Sequence, residues 1–172
     1  MTEKLKICMI GATAVGKTSL VARFMSSIFS ERYTTTIGVK IQTRRLQRGQ
    51  RSIDLVLWDL SGEDEFQSVQ PFYLRGAAGC LLVIDGTRRE TIDVALSLQT
   101  RVQTITGPIP FVVVLNKADL VASWDIDTPT CGSLEQRGFT IVHTSAKTGV
   151  GVEESFNRIV DTILAGRGEP WI

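Results

Sequence analysis

Apolar runs alternate along the chain with segments of helical periodicity, and this alternation predicts parallel strands joined by helical crossovers. The segments 79–85 and 110–116 are continuously apolar, which is typical of central strands buried on both faces of a sheet. Two more strands are predicted at 4–10 and 139–145, near the two ends of the chain.

The remaining strands form a predicted hairpin. The segments 39–47 and 51–59 flank a short glycine-containing connection, so we expect them to pair in an antiparallel fashion. Together with the apolar runs, they give a six-stranded, mostly parallel sheet with one antiparallel strand. The class predicted is therefore α/β, with helices on both faces of the sheet.

Three segments carry the apolar spacing of helices: 17–25, 89–105 and 151–164. The segment 121–138 is the weakest, because a proline and a glycine leave room for only a short helix. In the last helix, the positions that share one face are Val152, Phe156, Ile159, Val160 and Ile163.

Length and composition limit the kind of protein this is. The 172 residues, 43% hydrophobic and 22% charged, suit one globular domain over 1–172 with its core at about 4–165. A net charge of +1 gives no electrostatic reason to expect a nucleic-acid partner. The cysteines Cys8, Cys80 and Cys131 are odd in number and widely spaced, so we expect free thiols and a cytoplasmic location.

Membrane attachment is not expected from the sequence. No apolar run reaches the length of a bilayer span, and the first residues lack a signal-peptide pattern. Thr2 excludes N-myristoylation, and Cys131 lies far from the C-terminus, so we expect no intrinsic lipid anchor.

The stretch Gly11-Ala12-Thr13-Ala14-Val15-Gly16-Lys17-Thr18 matches the pattern GxxxxGK[ST] between a predicted strand and a predicted helix. In that context the glycines let backbone N–H groups surround phosphate oxygens, and the helix N-terminus adds its positive dipole. Lys17 is expected to reach the outer phosphates and the Thr18 hydroxyl to ligate Mg²⁺. The alternative is a glycine-rich turn that matches by chance.

A second motif, Asn116-Lys117-Ala118-Asp119, begins at the last residue of the predicted strand 110–116, at the carboxyl edge of the sheet. A carboxylate at Asp119 can accept from the two adjacent donors that guanine presents and adenine lacks, which would select guanine. The alternative is a loop in which Asp119 caps the following helix. Ser145-Ala146-Lys147 is a weaker signal, and its expected role is an N–H from Ala146 to the guanine O6.

With these motifs in order, the chain resembles a small GTPase of the Ras superfamily from Lys4 to about Leu164. The stretches "TIGVKI" and "WDLSGEDEF…FYLRGA" are most similar to the Rab branch. The resemblance implies a P-loop NTPase fold of the Ras-like G-domain type, with GTP or GDP as bound nucleotide and Mg²⁺ as cofactor. It also implies protein effectors and regulators that bind through residues 31–41 and 61–75.

The resemblance also implies roles for individual residues. Thr18 and Thr36 would ligate Mg²⁺, and Asp59 would hold it through water. Thr36 is preferred to Thr34 and Thr35 because it directly precedes the "IG" frame, while Tyr33 either covers the phosphates or is a surface aromatic. The catalytic residues implied are Lys17, Thr36, Gly62 and Glu63. The nucleotide contacts implied are Gly11, Thr13, Ala14, Val15, Gly16, Lys17, Thr18, Ser19, Phe29, Thr36, Gly62, Asn116, Lys117, Asp119, Ser145, Ala146 and Lys147.

Glu63 departs from the family pattern, which has glutamine at this position. A carboxylate can still accept from an attacking water but has no amide to donate toward the phosphoryl oxygens, so we expect slow GTP hydrolysis. One alternative is that Glu63 points to solvent without a catalytic role. Another is a GTP-locked binding module with little or no turnover. A P-loop kinase is disfavoured, because it gives no reason for Asp119 in its motif.

Two further departures bear on regulation. Thr13 stands where the family often has glycine or serine, and its side chain would crowd an arginine supplied by an activating protein. The chain ends "GRGEPWI" where Rab and Ras relatives usually carry prenylated cysteines. Of the other conspicuous side chains, His143 is expected to be structural, whereas Trp124 and Trp171 fit either an interaction site or local packing.

Overall fold

The computed structural model describes residues 2–26, 38–48, 50–61 and 71–169. These residues form one six-stranded sheet in the order β2-β3-β1-β4-β5-β6. β2 runs antiparallel to β3, and all other neighbours are parallel. The strands are β1 (Glu3–Ile10), β2 (Gly38–Arg48), β3 (Arg51–Ser61), β4 (Ala77–Asp85), β5 (Phe111–Asn116) and β6 (Thr140–His143). The predicted α/β class, strand count and antiparallel hairpin are confirmed.

The described residues contain five α-helices: α1 (Lys17–Ser26), α2 (Pro71–Leu74), α3 (Glu90–Thr106), α4 (Thr128–Gln136) and α5 (Val152–Gly166). The first four connect successive strands, and α5 follows β6. α2 was not predicted, because four residues are too few to display a helical period. α4 is short, as expected, and it begins where the Asp127 carboxylate accepts from the backbone N–H of Thr130 (2.9 Å). Pro129 lies in its first turn, where a missing N–H costs little.

The two faces of the sheet have separate cores. Along β1, Leu5, Ile7 and Met9 face α1 and α5, whereas Cys8 and Ile10 face α2, α3 and α4. This alternation follows from the two-residue period of a strand, and it confirms helices on both faces. All three cysteines are free thiols.

The topology places a crevice at the carboxyl end of β1. This strand lies between β3 and β4, so the chain leaves the centre of the sheet in opposite directions on its two sides. Open α/β sheets bind ligands at such a reversal of strand order. Among the helices of the described ranges, none has the length and apolar character to cross a membrane.

Candidate functional site

The loop between β1 and α1 passes close to its neighbours, and two glycines make this possible. A Cβ atom at Gly11 would lie 2.2 Å from the carbonyl oxygen of Val83 on β4. At Gly16 it would lie 2.3 Å from Nδ2 of Asn116, and the φ angle there is 103°. Both positions therefore require glycine for steric reasons, and Gly16 also for its backbone angle.

Lys17 is the first residue of α1, and its side chain folds back over the loop. Its Nζ donates to the carbonyl oxygens of Gly11 (2.7 Å) and Ala12 (2.8 Å). The side chain is buried, so the ammonium group is held inside the loop by carbonyl oxygens. An anion that enters the loop would meet this charge together with the backbone amides at the start of the helix.

Thr18 and Asp59 bring two oxygen groups together at one side of the loop. The Thr18 hydroxyl donates to Oδ2 of Asp59 at 2.5 Å, and the Asp59 side chain is buried at the end of β3. Oxygen ligands of this kind suit Mg²⁺, which is usually held by one or two carboxylates together with phosphates. In the described part of the chain, no group of three or more His, Cys, Asp or Glu side chains is arranged to hold a metal ion.

Asn116 connects the loop between β1 and α1 (residues 11–18, the predicted phosphate loop) to the loop after β6. Its Nδ2 donates to the carbonyl oxygen of Val15 (3.0 Å), and its Oδ1 accepts from the Thr144 hydroxyl (3.0 Å) and from the backbone N–H of Ala146 (3.3 Å). The side chain is buried. Asn116 therefore joins three segments of the chain through its amide group.

Lys117 has a left-handed backbone (φ 68°), and its side chain extends toward the phosphate loop. Its Nζ donates to the carbonyl oxygen of Ala14 (3.0 Å) and to Oδ2 of Asp85 (2.7 Å). The Asp85 side chain is only 1% exposed at the end of β4. Burial tends to raise the pKa of Asp85, but hydrogen bonds from Lys117, Thr87 and Arg88 outweigh it, and the pKa is lowered.

The remaining predicted base-binding residues lie beside this network. The Ser145 hydroxyl donates to Oδ1 of Asp119 at 2.7 Å. This hydrogen bond fixes the rotamer of Asp119 and therefore also the direction of its second carboxylate oxygen. Lys147 is exposed, and its carbonyl oxygen accepts from Nη1 of Arg23 (3.3 Å). Nη2 of Arg23 donates to Thr148 O (3.1 Å), so α1 holds this loop through one side chain.

The structure thus brings together most of the predicted site residues at one edge of the sheet. Thr13 and Ala14 are exposed, Val15 is buried, and Ser19 is half-buried in α1. Phe29, Thr36, Gly62 and Glu63 lie outside the described residues, as do Tyr33, Thr34, Thr35 and Trp171.

Three residues that contact the site were not predicted from the sequence: Asp85, Arg88 and Arg23. Asp85 could have been identified from the sequence, because it is a carboxylate at the end of an otherwise apolar strand, at the carboxyl edge of the sheet. Arg88 donates from Nε to Asp85 (3.0 Å) and from Nη2 to the carbonyl oxygen of Thr13 (2.7 Å). Nothing in the local sequence distinguishes Arg88 from its neighbour Arg89.

Trp124 and His143 pack against each other beside the site. Their rings are stacked with centroids 5.7 Å apart, and the indole N–H of Trp124 donates to Ile126 O (2.9 Å). Together with Ala118 and Val121 they line a cavity of about 340 Å³. Local packing is therefore observed for Trp124, and His143 has a structural contact.

Comparison with known proteins agrees with this geometry: residues 6–165 match the Ras family. Among similar proteins is Ras-related protein Rab-4 of Dictyostelium discoideum, 35% identical over 93% of this chain and 79% of that protein. Ras-related protein RABA4b of Arabidopsis thaliana is 36% identical over 92% of this chain and 71% of that protein. Ras-related protein Rab11A of Lotus japonicus is 34% identical over the same shares of the two chains.

The chain therefore belongs to the Ras family of small GTPases, and its similar relatives are Rab proteins. The expected resemblance to this family and to its Rab branch is confirmed. Membership implies that the protein binds guanine nucleotide.

Proposed function

We propose that this protein is a GTP/GDP switch that binds guanine nucleotide with Mg²⁺ and hydrolyses GTP slowly. The observation that carries the proposal is the meeting of a phosphate loop, an oxygen pair for a hard cation and a base-binding carboxylate at one sheet edge. These parts come from segments far apart in the sequence, so their convergence is a property of the fold.

The phosphates would lie in the loop from Gly11 to Thr18. Lys17 would exchange its contacts with Gly11 O and Ala12 O for phosphate oxygens, because a charge-assisted bond to an anion is stronger than one to a carbonyl. Thr18 and Asp59 would hold Mg²⁺, Asp59 through water and Thr36 as a further ligand. When bound, the metal neutralises the charge that develops on the phosphates.

The base would be read by Asp119 beside Ser145. A carboxylate accepts from the N1–H and 2-amino groups of guanine, whereas adenine would leave it without these donors. The backbone N–H of Ala146 donates to Asn116 Oδ1 at 3.3 Å, which is a long hydrogen bond. The N–H could therefore donate to the guanine O6 instead at little cost in free energy. Phe29 and Lys147 would border the ring, and Ser19 the phosphates.

Glu63 and Gly62 would act at the terminal phosphate. The Gly62 amide would donate to it, and the Glu63 carboxylate would accept from the attacking water without donating to the transition state. Unassisted Ras turns over on the order of 10⁻⁴ to 10⁻³ s⁻¹, and we expect this chain to be no faster.

The partners would be effectors and regulators that bind residues 31–41 and 61–75 and distinguish the two nucleotide states. Apolar side chains at the described ends of these segments support this surface, since Ile41 is 50% exposed and Phe72 is 68% exposed. The whole chain would act as one G domain with its core at about 4–165, in the cytoplasm and without nucleic acid.

Glu63 also favours a second candidate, a GTP-locked binding module, because the residue removes the amide donor that the transition state would use. Single-turnover hydrolysis of bound GTP, measured in the wild type and in Glu63→Gln, separates the two. Decay in the wild type that the substitution changes supports the switch. Intact GTP in the wild type, with hydrolysis appearing only in Glu63→Gln, supports the locked module.

If the purified protein binds neither GTP nor GDP in the presence of Mg²⁺, both candidates fail. Equal decay in the two proteins would show that Glu63 has no part in hydrolysis. Effector binding that does not distinguish GTP from GDP would contradict the switch itself.

A further inference from the structure

Three consecutive carbonyl groups of the phosphate loop are each held by a side chain from outside the loop. The carbonyl oxygen of Thr13 accepts from Nη2 of Arg88 (2.7 Å). Those of Ala14 and Val15 accept from Lys117 Nζ and Asn116 Nδ2, both at 3.0 Å. The loop is therefore fixed at three successive peptide groups, and Arg88 supplies the first of the three anchors.

These anchors determine the direction of the amides that follow. In a planar trans peptide the N–H points opposite to the C=O of the same group. Holding the oxygens of Thr13, Ala14 and Val15 therefore aims the next three N–H groups away from the anchoring side chains. A run of such aligned N–H groups with one left-handed residue forms a concave anion-binding nest.

Ala14 is that left-handed residue, with a φ of 62°. A non-glycine residue persists in this conformation only where its surroundings hold it there. Arg88 holds the peptide group before Ala14, and Lys117 holds the peptide group after it. Loss of either anchor would free one of the two groups to rotate and would release the conformation on which the nest depends.

One buried carboxylate fixes both cationic anchors. Oδ2 of Asp85 accepts from Arg88 Nε at 3.0 Å and from Lys117 Nζ at 2.7 Å. Oδ1 of Asp85 accepts from the backbone N–H (2.9 Å) and hydroxyl (2.7 Å) of Thr87, so the rotamer is locked. The rigid fork of Arg88 can then place Nη2 on Thr13 while Nε stays on Asp85, which a lysine could not do.

We propose that Arg88 is a positioning residue for the phosphates of the nucleotide: by holding the Thr13–Ala14 peptide group, it keeps the phosphate loop ready to bind a nucleoside diphosphate or triphosphate and slows its release. This rests on the proposed function, because it concerns the same site. The side chain of Arg88 contacts the loop at Thr13 and the carboxylate of Asp85, so we expect it to affect retention of the phosphates and not selection of the base.

The test measures release of fluorescent N-methylanthraniloyl-GDP from the Mg²⁺-loaded protein after a chase with excess GDP. Arg88→Ala should release it roughly tenfold faster than the wild type, as expected for loss of one charge-assisted hydrogen bond at a partly exposed site. Arg88→Lys should fall between the two, because a lysine can reach one of the two acceptors. Arg89→Ala is the matched control: Arg89 contacts Asp127 (3.4 Å) and Thr130 (2.7 Å) on α4 and should leave release unchanged.

Competition with unlabelled GDP and IDP gives the ratio of the two affinities. A general loosening of the site would change this ratio. Hypoxanthine lacks the 2-amino group that Asp119 would read, so the ratio of the two affinities reports the base contacts alone. In Arg88→Ala both affinities should fall and their ratio should stay at the wild-type value. If Arg88→Ala does not fold by circular dichroism, the intermediate release rate of Arg88→Lys carries the test.

The inference is overturned if Arg88→Ala, or Arg88→Lys in its place, releases nucleotide within twofold of the wild type. It is also overturned if Arg89→Ala accelerates release as much, or if the GDP/IDP ratio collapses. These results are distinct from failure of the proposed function, in which the wild type itself would not bind the labelled nucleotide.

Discussion

Lys117 Nζ donates a hydrogen bond of 3.0 Å to the carbonyl oxygen of Ala14, and these two are the non-glycine residues with left-handed backbone in the described ranges. One belongs to the phosphate loop and the other to the loop that would bind the base. Left-handed backbone costs a non-glycine residue of order 1–3 kcal/mol, so each conformation needs support from its surroundings. The contact between them means that each loop helps to hold the other.

Asp85→Asn should lower the free energy of unfolding, and the size of the loss should depend on pH. The pKa of Asp85 is lowered from the ordinary value of 3.8, so its ion pairs stabilise the folded protein above that pH and are lost as the pH falls through the folded value. We expect Asp85→Asn to cost about 1–2 kcal/mol at pH 7, since Lys117 and Arg88 are each about one-third exposed and can be solvated.

Urea unfolding of the wild type and Asp85→Asn at pH 7 and near pH 3 measures this difference. The gap in unfolding free energy between the two proteins should shrink at the lower pH. A gap that stays constant would show that the charge of Asp85 is not what stabilises the site. Asp127→Asn serves as a comparison, because hydrogen bonds from Thr130 first also lower the pKa of Asp127, but its side chain is exposed and pairs with Arg89 and not with Lys117 or Arg88.

Much of the site could be predicted from the sequence because its chemistry lies in contiguous motifs. Residues 11–18 come directly after one apolar run, and residues 116–119 begin at the end of another. Each run identifies a buried strand, and the fold places both motifs at one edge of the sheet. The contacts that join these motifs could not be predicted. Arg88 reaches Thr13 across 75 positions and Arg23 reaches Lys147 across 124, and no periodicity relates residues at such separations. α2 was missed for a different reason, its length of four residues.

Ser145→Ala should reduce discrimination between guanine and hypoxanthine. The Ser145 hydroxyl donates to Asp119 Oδ1 at 2.7 Å and also accepts from the backbone N–H of Thr148 at 3.1 Å, so it fixes the carboxylate. A hydrogen bond of this kind is worth about 0.5–1.5 kcal/mol, which corresponds to a roughly 2- to 12-fold loss of GDP affinity. Competition binding with GDP and IDP would measure it.

The direction of the change matters as much as its size. We expect the GDP affinity to fall further than the IDP affinity, because only GDP carries the 2-amino donor that an aligned Asp119 would accept. An equal loss for both nucleotides would assign Ser145 to the shape of its loop. Ser133→Ala on α4, away from these contacts, is the control and should leave both affinities unchanged.

Arg44 is expected to stabilise the packing of α1 against α5. Its guanidinium donates to both carboxylate oxygens of Glu153 (2.9 and 3.0 Å) and to Phe24 O (2.5 Å), and it lies 4.0 Å above the Phe24 ring. That ring stacks on Phe156 at 4.0 Å between centroids. Arg44→Ala should cost about 1–2 kcal/mol of unfolding free energy, the sum of a partly exposed pair and a cation–π contact.

Denaturant unfolding would test Arg44→Ala beside two comparison variants. Phe156→Ala removes a fully buried ring and should cost about 3–5 kcal/mol. Arg158→Ala breaks an exposed pair with Glu154 (3.5 Å) and should cost less than about 0.5 kcal/mol. If Arg44→Ala proved as mild as Arg158→Ala, the stacked arrangement would contribute nothing beyond an ordinary surface pair.

Gly16→Ala should strongly weaken nucleotide binding, because two separate constraints meet at this residue. Its φ is 103°, and an added Cβ would lie 2.3 Å from Nδ2 of Asn116, the atom that donates to Val15 O. The side chain of Asn116 would have to leave the loop, which would release the third carbonyl anchor. We expect a loss of at least about 2 kcal/mol in binding, roughly 30-fold, from the backbone strain and the displaced hydrogen bond together.

Gly132→Ala is the matched control for this substitution. Gly132 lies inside α4 with nothing within 4 Å of an added Cβ, so alanine should raise stability by about 0.5–1 kcal/mol and leave binding unchanged. Isothermal titration with GDP and thermal unfolding of both variants separate the two effects. Should Gly16→Ala retain wild-type affinity, the Asn116–Val15 contact would not be needed for the loop to bind phosphate, and the anchors at Thr13 and Ala14 would be sufficient.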